Sequence, residues 1–282
     1  MNQLQFLGAI EIGLIYGVVA IGVYLTFRVI DFPDLTVDGS FTLGAAVSAA
    51  LITGGYNPWL STMVAILAGG MAGAVTGYLN VRWHILGLLA GIISMTALYS
   101  INLRVMQKPN IAIMDEATIF NDYSTLVFTA ILLIVIILLL TRFFNSDFGL
   151  AIRASGINPR VGRAYGINVG LMKIITLAIS NATVALAGSL FTQSNGFADI
   201  SMGTGTVIVG LASVIIAEAI FRPGKIYAAL IVCIIGAIAY RIAVAFALNA
   251  QSVGLEPSDL NLITAALVAF TMMLSKSNKS SK

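Results

Sequence analysis

Long, continuously apolar runs separated by short polar breaks fill the chain from end to end. None alternates apolar and polar residues at every second position, so the pattern predicts membrane helices and not a barrel of strands. The runs place spans at 6–28, 39–53, 59–80, 85–105, 122–142, 171–193, 204–221, 225–248 and 259–275. Most hold the roughly 17–25 residues that cross about 30 Å of hydrocarbon as helix. The run at 39–53 is short, as expected of a helix that begins below the membrane surface. The expected fold is an all-α polytopic membrane protein of about nine spans, one transmembrane domain over 1–282, with broken and short helices.

One polar break occurs twice. Phe32–Gly44, FPDLTVDGSFTLG, is matched by Phe197–Gly210, FADISMGTGTVIVG. Phe32 answers Phe197, Asp34 answers Asp199, Leu35 answers Ile200 and Thr36 answers Ser201; after a one-residue insertion Gly39 and Gly44 answer Gly205 and Gly210. Each copy follows one apolar run and opens another, which sets acid, hydroxyl and glycine inside membrane-like sequence. Irregular backbone at that depth survives only where protein or a water-filled cavity satisfies it. Paired polar breaks at matching places in two halves point to a transport path. Chance likeness of two glycine-rich helix starts is the bland alternative.

Composition sharpens the class. Hydrophobic residues make up 59% of the chain and charged ones only 10%, with a mean hydropathy of +0.97. A soluble domain carries about 25% charged residues, so the chain is read as an integral membrane protein. Its 27 glycines suit close helix packing in lipid. The lone cysteine, Cys233, rules out an internal disulfide. The N-terminal stretch lacks the basic region and the small-residue cleavage site of a removable signal.

Charge placement orients the spans. With the C-terminus inside, every Lys and Arg falls on the cytoplasmic side except Arg104 and Lys108 outside and Arg241 within a span. The positive-inside rule then gives N-out/C-in. The segment 106–121 becomes an acidic outer loop with Asp115 and Glu116, Asp122 standing at its edge. The halves, about 6–142 and 171–275, become inverted copies about an axis in the membrane plane.

Between the halves, 143–170 is the longest cytoplasmic connection. It holds Arg153, Arg160 and Arg163, small residues including Ala154, Ser155 and Gly156, and Pro159 placed for a first helical turn. A helix from Pro159 to Tyr165, closed by Gly166, is expected. From the residues alone it serves equally as an anchor on anionic membrane lipid or as a knob for a partner protein.

Ionisable groups inside a membrane are costly and each needs a reason. Asp34, Thr36, Asp38 and Ser40 in the first break, and Asp199, Ser201 and Thr204 in the second, are open to two compatible roles: lining a solute path or capping a helix. Arg241 is suited to a solute carboxylate, a protein carboxylate or an outward reach to water. Glu218 is expected to pair with Arg222 at i,i+4, and Asp31 with Arg28. Asn102 and Asn181 read as interhelical hydrogen-bond glue. His84 beside Arg82 and Trp83 reads as an interface anchor, with no metal-ligand partner. No catalytic triad or dyad, metal site, cofactor site or nucleic-acid surface is expected.

Three ordered stretches, FPDLTVDGSFTLGAA, GIISMTALYSINLRVMQKPNI and GLAIRASGINPRVGRAYGIN, resemble ABC-importer permeases of the branched-chain amino acid and ribose type. Within that group they most resemble the tryptophan/tyrosine-type permeases. The resemblance runs from about Gly13 to Phe270. It implies a homodimer in the bacterial plasma membrane, two cytoplasmic ATPase subunits beneath it, and an extracytoplasmic solute-binding protein that delivers an amino acid or similar nutrient. It makes the central connection the ATPase-coupling element, carried by Arg153, Ser155, Gly156, Asn158, Pro159, Arg163, Ala164 and Gly166. The chain has no GxxxxGK[ST] phosphate loop, so ATP hydrolysis belongs to a separate chain. Two rivals stand against this reading. One is an ion- or proton-coupled carrier using Asp34 and Asp199; the other is a membrane scaffold that moves no solute.

Overall fold

The computed structural model describes residues 3–221 and 224–248. α1 (Gln3–Tyr24) widens without a break into a π-helical turn, Leu25–Val29. α2 (Thr36–Thr53), α3 (Pro58–Trp83) and α4 (Gly87–Met106) follow. A short strand, β1 (Asn110–Ala112), and a one-turn helix, α5 (Ile119–Asp122), precede α6 (Thr125–Phe144). Two short helices, α7 (Asp147–Ile157) and α8 (Pro159–Ala164), lead into α9 (Val169–Asn195). Strand β2 (Phe197–Asp199), α10 (Thr206–Ile220) and α11 (Ile226–Leu248) complete the described chain.

Seven of these helices are long and apolar enough to cross a membrane. They answer the expected spans at 6–28, 39–53, 59–80, 85–105, 122–142, 171–193 and 225–248. Two expectations change in detail. α2 starts at Thr36 and reaches 18 residues, because the Asp34 side chain accepts the Thr36 amide at 2.9 Å and organises the turn ahead of it. The short helix is α10, with 15 residues, whose first turn is displaced by an irregular segment from Ile200 to Gly205. The expected span at 259–275 lies outside the described residues.

α9 runs through the middle of the bundle, against α1, α2 and α3. Small residues let these backbones meet. A Cβ at Gly44 on α2 would run into the Ala185 carbonyl of α9, and one at Gly73 on α3 into the Leu177 carbonyl. On α9 itself, a Cβ at Gly188 would strike the Phe41 carbonyl of α2. Beside this contact Tyr16, Phe41 and Phe191 form a ring cluster with centroids 5.7 to 6.0 Å apart. α11 packs on α1 and α10, while α6 lies at the periphery and shows mostly apolar side chains outward.

The loop after α4 is stitched back to the bundle. β1 pairs antiparallel with β2, with Asn110 opposite Asp199 and Ala112 opposite Phe197. Ile113 donates its amide to Gly196 O at 2.7 Å, and Ile200 donates to Pro109 O at 2.9 Å.

Candidate functional site

The two glycine-rich breaks touch each other. Asp38, on the first turn of α2, turns its carboxylate to the start of α10: Val207 N donates to Oδ1 at 2.7 Å and Gly205 N to Oδ2 at 3.0 Å. Gly203 N donates to Thr42 Oγ1 at 3.1 Å, one helical turn further along α2. The first amides of any helix lack intrahelical acceptors and carry the positive end of its dipole. Here an anionic group from another helix supplies what a local cap leaves undone. Gly205 has φ of 83°, a conformation that suits glycine. A Cβ at Gly203 would run into the Asp38 carbonyl, so the approach needs glycine there too.

The matched acids make the same local bond. Thr36 N donates to Asp34 Oδ1 at 2.9 Å, and Ser201 N donates to Asp199 Oδ1 at 2.8 Å. Each acid thus organises the turn that follows it. Their surroundings differ. Asp34 is wholly buried, and its Oδ2 accepts from Asn181 Nδ2 of α9 at 2.7 Å. Asp199 stands at the surface, bonded to the Ser201 hydroxyl and, at 3.4 Å, to Asn110 Nδ2. The Ser201 hydroxyl holds its carboxyl below the usual carboxylate range.

From Asp34 a hydroxyl chain crosses three helices. Thr36 Oγ1 lies 2.8 Å from Thr76 Oγ1 on α3, which donates to Ser94 Oγ on α4 at 2.7 Å. Asn102 Nδ2 on α4 donates to Gly39 O of α2 at 3.2 Å. Asn102 therefore bonds between helices, as expected, while Asn181 ties α9 to the break before α2. Asp38 and Thr204 share a cavity of about 40 Å³ with Thr42, Tyr99, Asn102 and Ile200. That holds a water or two and no nutrient. Thr36 and Ser40 are fully buried, while Ser201 and Thr204 are exposed.

A second polar cluster went unread in the sequence. Gln193 on α9 donates from Nε2 to Thr62 Oγ1 at 2.8 Å, and to Ser48 Oγ and Ser189 Oγ at 3.2 Å. Its Oε1 accepts the Ile119 amide at 3.2 Å, fixing α5 to the bundle. A glutamine in an apolar run is the signal that could have found it.

The central connection is two helices and not one. Ser146 caps α7, its Oγ accepting from Gly149 N at 3.4 Å. Asn158 caps α8, its Oδ1 accepting from Arg160 N at 3.1 Å and Val161 N at 3.2 Å, with Pro159 in the first turn. Gly166, φ 79°, follows just past the end. Ser155 is buried and donates to Ala151 O at 2.8 Å, and a Cβ at Gly156 would strike the Val29 carbonyl in the π turn. These two small residues thus serve contacts within the chain. Arg153 is half-buried, whereas Arg160, Arg163, Ala164 and Gly166 are exposed, together with Ile157 at 86% and Tyr165 at 83%. Arg163 also lines a cavity of about 540 Å³ with His84 and Lys173, and no carboxylate is among its described lining residues.

Two charges find partners that the sequence did not name. Glu218 bonds Arg28 of the π turn; Arg222 lies outside the described residues. Arg241 places its guanidinium 4.0 Å above the Tyr16 ring, a cation–π contact.

Comparison with known proteins agrees with the architecture. The chain is 40% identical over 256 residues to the Tyrosine transport system permease protein of Clostridioides difficile, covering 90% of this chain and 86% of that one. It is 24% identical over 200 residues to the Ribose import permease protein RbsC of Escherichia coli, covering 68% and 62%. Among solved structures, PsaBC from Streptococcus pneumoniae in complex with Fab shares the fold, with a TM-score of 0.53 at 16% identity over 95% of this chain and 89% of that one. Residues 6–275 match the family described as Branched-chain amino acid transport system / permease component. With seven helices among the described residues long and apolar enough to cross a membrane, and that match over nearly its whole length, the chain belongs to this family and is a membrane-embedded ABC-importer permease subunit for a small solute.

Proposed function

We propose that two copies of this chain form the membrane path of an ATP-driven bacterial importer for an amino acid, tyrosine or one like it. Each copy has nine spans, N-terminus outside and C-terminus inside, with halves 6–142 and 171–275 as inverted repeats. Two ATPase subunits bind beneath, and an extracytoplasmic solute-binding protein delivers the solute. The 40% identity to a tyrosine transport permease supports the solute class. The matching Asp34–Thr36 and Asp199–Ser201 turns support the repeat.

The α7–α8 segment carries the reading. Both helices are capped by their own side chains, and Gly156 seats α7 tightly on the π turn of α1. The free face then presents Ile157, Val161 and Tyr165 beside Arg160 and Arg163. Exposed apolar anchors ringed by arginine are suited to a cleft with acidic rims. A rotation imposed on this segment passes directly to α1. Asp38, Thr42 and Thr204 line the solute side, where the irregular segment before α10 permits rearrangement.

The test is co-purification of the ATPase encoded with this chain, comparing wild type with Arg163→Glu and Val161→Glu. Both substituted side chains are exposed, so the fold stands. Loss of the ATPase in both variants supports the reading. An ATPase that binds all three equally removes α8 from the contact, and solute uptake that follows an ion gradient without ATP overturns the mechanism.

A further inference from the structure

A groove of about 900 Å³ opens between α6 and α11. Leu138 and Leu139 on α6 and Ile231 on α11 give it apolar walls. At one end the lining changes to Arg142, Asn145 and Ser146 at the foot of α6, with Tyr227 in the first turn of α11. Lys225 stands 6.0 Å from the centre of the Tyr227 ring. No Asp or Glu is among the described lining residues. Among the described residues neither Arg142 nor Lys225 belongs to an ion pair, the one such pair being Arg28–Glu218.

The outer face of α6 sets the surroundings. Ile131, Ile134, Val135 and Leu138 are all exposed on it, so in a membrane the groove faces hydrocarbon. Water does not fill an apolar groove in that setting; an acyl chain does. An acyl chain alone gives Arg142 and Lys225 no anion, the described residues supply none in an ion pair, and both sit where the span ends and the headgroups begin. One molecule satisfies both ends. We propose that this groove binds an anionic phospholipid, its phosphate held by Arg142 and Lys225 with Asn145 and Tyr227 as further hydrogen-bond donors, and an acyl chain lying between Leu138 and Ile231. Basic pockets between membrane helices recognise such headgroups. Ser146 also caps α7, so the lipid phosphate sits at the root of the α7–α8 segment. The proposal rests on membrane embedding and is independent of which solute is carried.

The experiment is native mass spectrometry of the full chain released from bilayers holding equal amounts of phosphatidylglycerol and phosphatidylcholine with identical acyl chains. Wild type retains phosphatidylglycerol preferentially. Each basic residue removed lowers that preference roughly fivefold, so Arg142→Ala with Lys225→Ala abolishes it and Arg142→Lys keeps it. Ile231→Trp, which fills the groove, reduces retention of both lipids. Unchanged helicity and a single monodisperse elution peak show that the variants fold. Equal retention of the two lipids by wild type overturns the proposal. So does a preference that survives the double substitution, or that Arg104→Ala, at the opposite end of the bundle, removes equally. Displacement of the lipid by millimolar inorganic phosphate overturns the part played by the groove.

Discussion

The Asp38 carboxylate takes the Val207 amide at 2.7 Å, so an acid in the first glycine-rich break caps the helix that grows out of the second. Replacing it removes two acceptors from the start of α10. Loss of a helix cap costs about 1–2 kcal/mol. Asp38→Ala therefore lowers the thermal unfolding midpoint in detergent and cuts uptake, and Asp38→Asn, which keeps one acceptor oxygen, loses less. Unfolding curves for Asp38→Ala that overlay those of wild type would count against the cap.

Asp34 and Asn181 form a buried pair at 2.7 Å. Groups in direct contact couple by about 0.5–3 kcal/mol in double-mutant cycles. Asp34→Ala and Asn181→Ala are expected to be strongly non-additive, because either alone leaves a buried polar partner unsatisfied. Denaturant unfolding of both singles and the double measures it; strict additivity refutes the coupling.

Arg28 and Glu218 join the π turn of α1 to the last turn of α10, but their side chains are 47% and 34% exposed. Solvent screening limits such a pair to about 0.2–1 kcal/mol. Arg28→Glu and Glu218→Arg each lower stability within that range, the reciprocal swap restores it, and high salt shrinks the difference. A swap as unstable as the worse single variant would show that charge is not what joins them.

Gly44 meets the Ala185 carbonyl with no space for a side chain. Overpacking a tight contact costs about 1–3 kcal/mol, occasionally more, so Gly44→Val reduces the yield of folded protein and its unfolding temperature. Gly8, with open space around it, is the control: Gly8→Ala changes neither. Equal tolerance at the two positions would contradict the close approach.

The apolar runs placed the described spans because membrane helices satisfy their own backbone, and length alone then locates them. Asp34 and Asp199 were legible for a related reason, since each bonds an amide only two residues on. Contacts across the chain were not. Glu218 bonds Arg28, 190 residues away in sequence, a contact made by the packing of α1 beside α10. Gln193, Ser48 and Thr62 come from three helices, and nothing local in any of them announces the other two. Ser155 and Gly156 stood out only as small residues; the fold shows that Ser155 bonds back within α7 while Gly156 lets α7 meet the π turn of α1.

Gly44, Gly73 and Gly188 bring α2, α3 and α9 together main chain to main chain. Such a junction has no compressible layer of side chains, so these helices can neither slide nor roll past one another without breaking it. In the proposed cycle they are the stator of the machine. Whatever moves in that cycle must pivot around the block, and the π turn of α1 and the irregular stretch before α10 are two places where the backbone already departs from a regular helix.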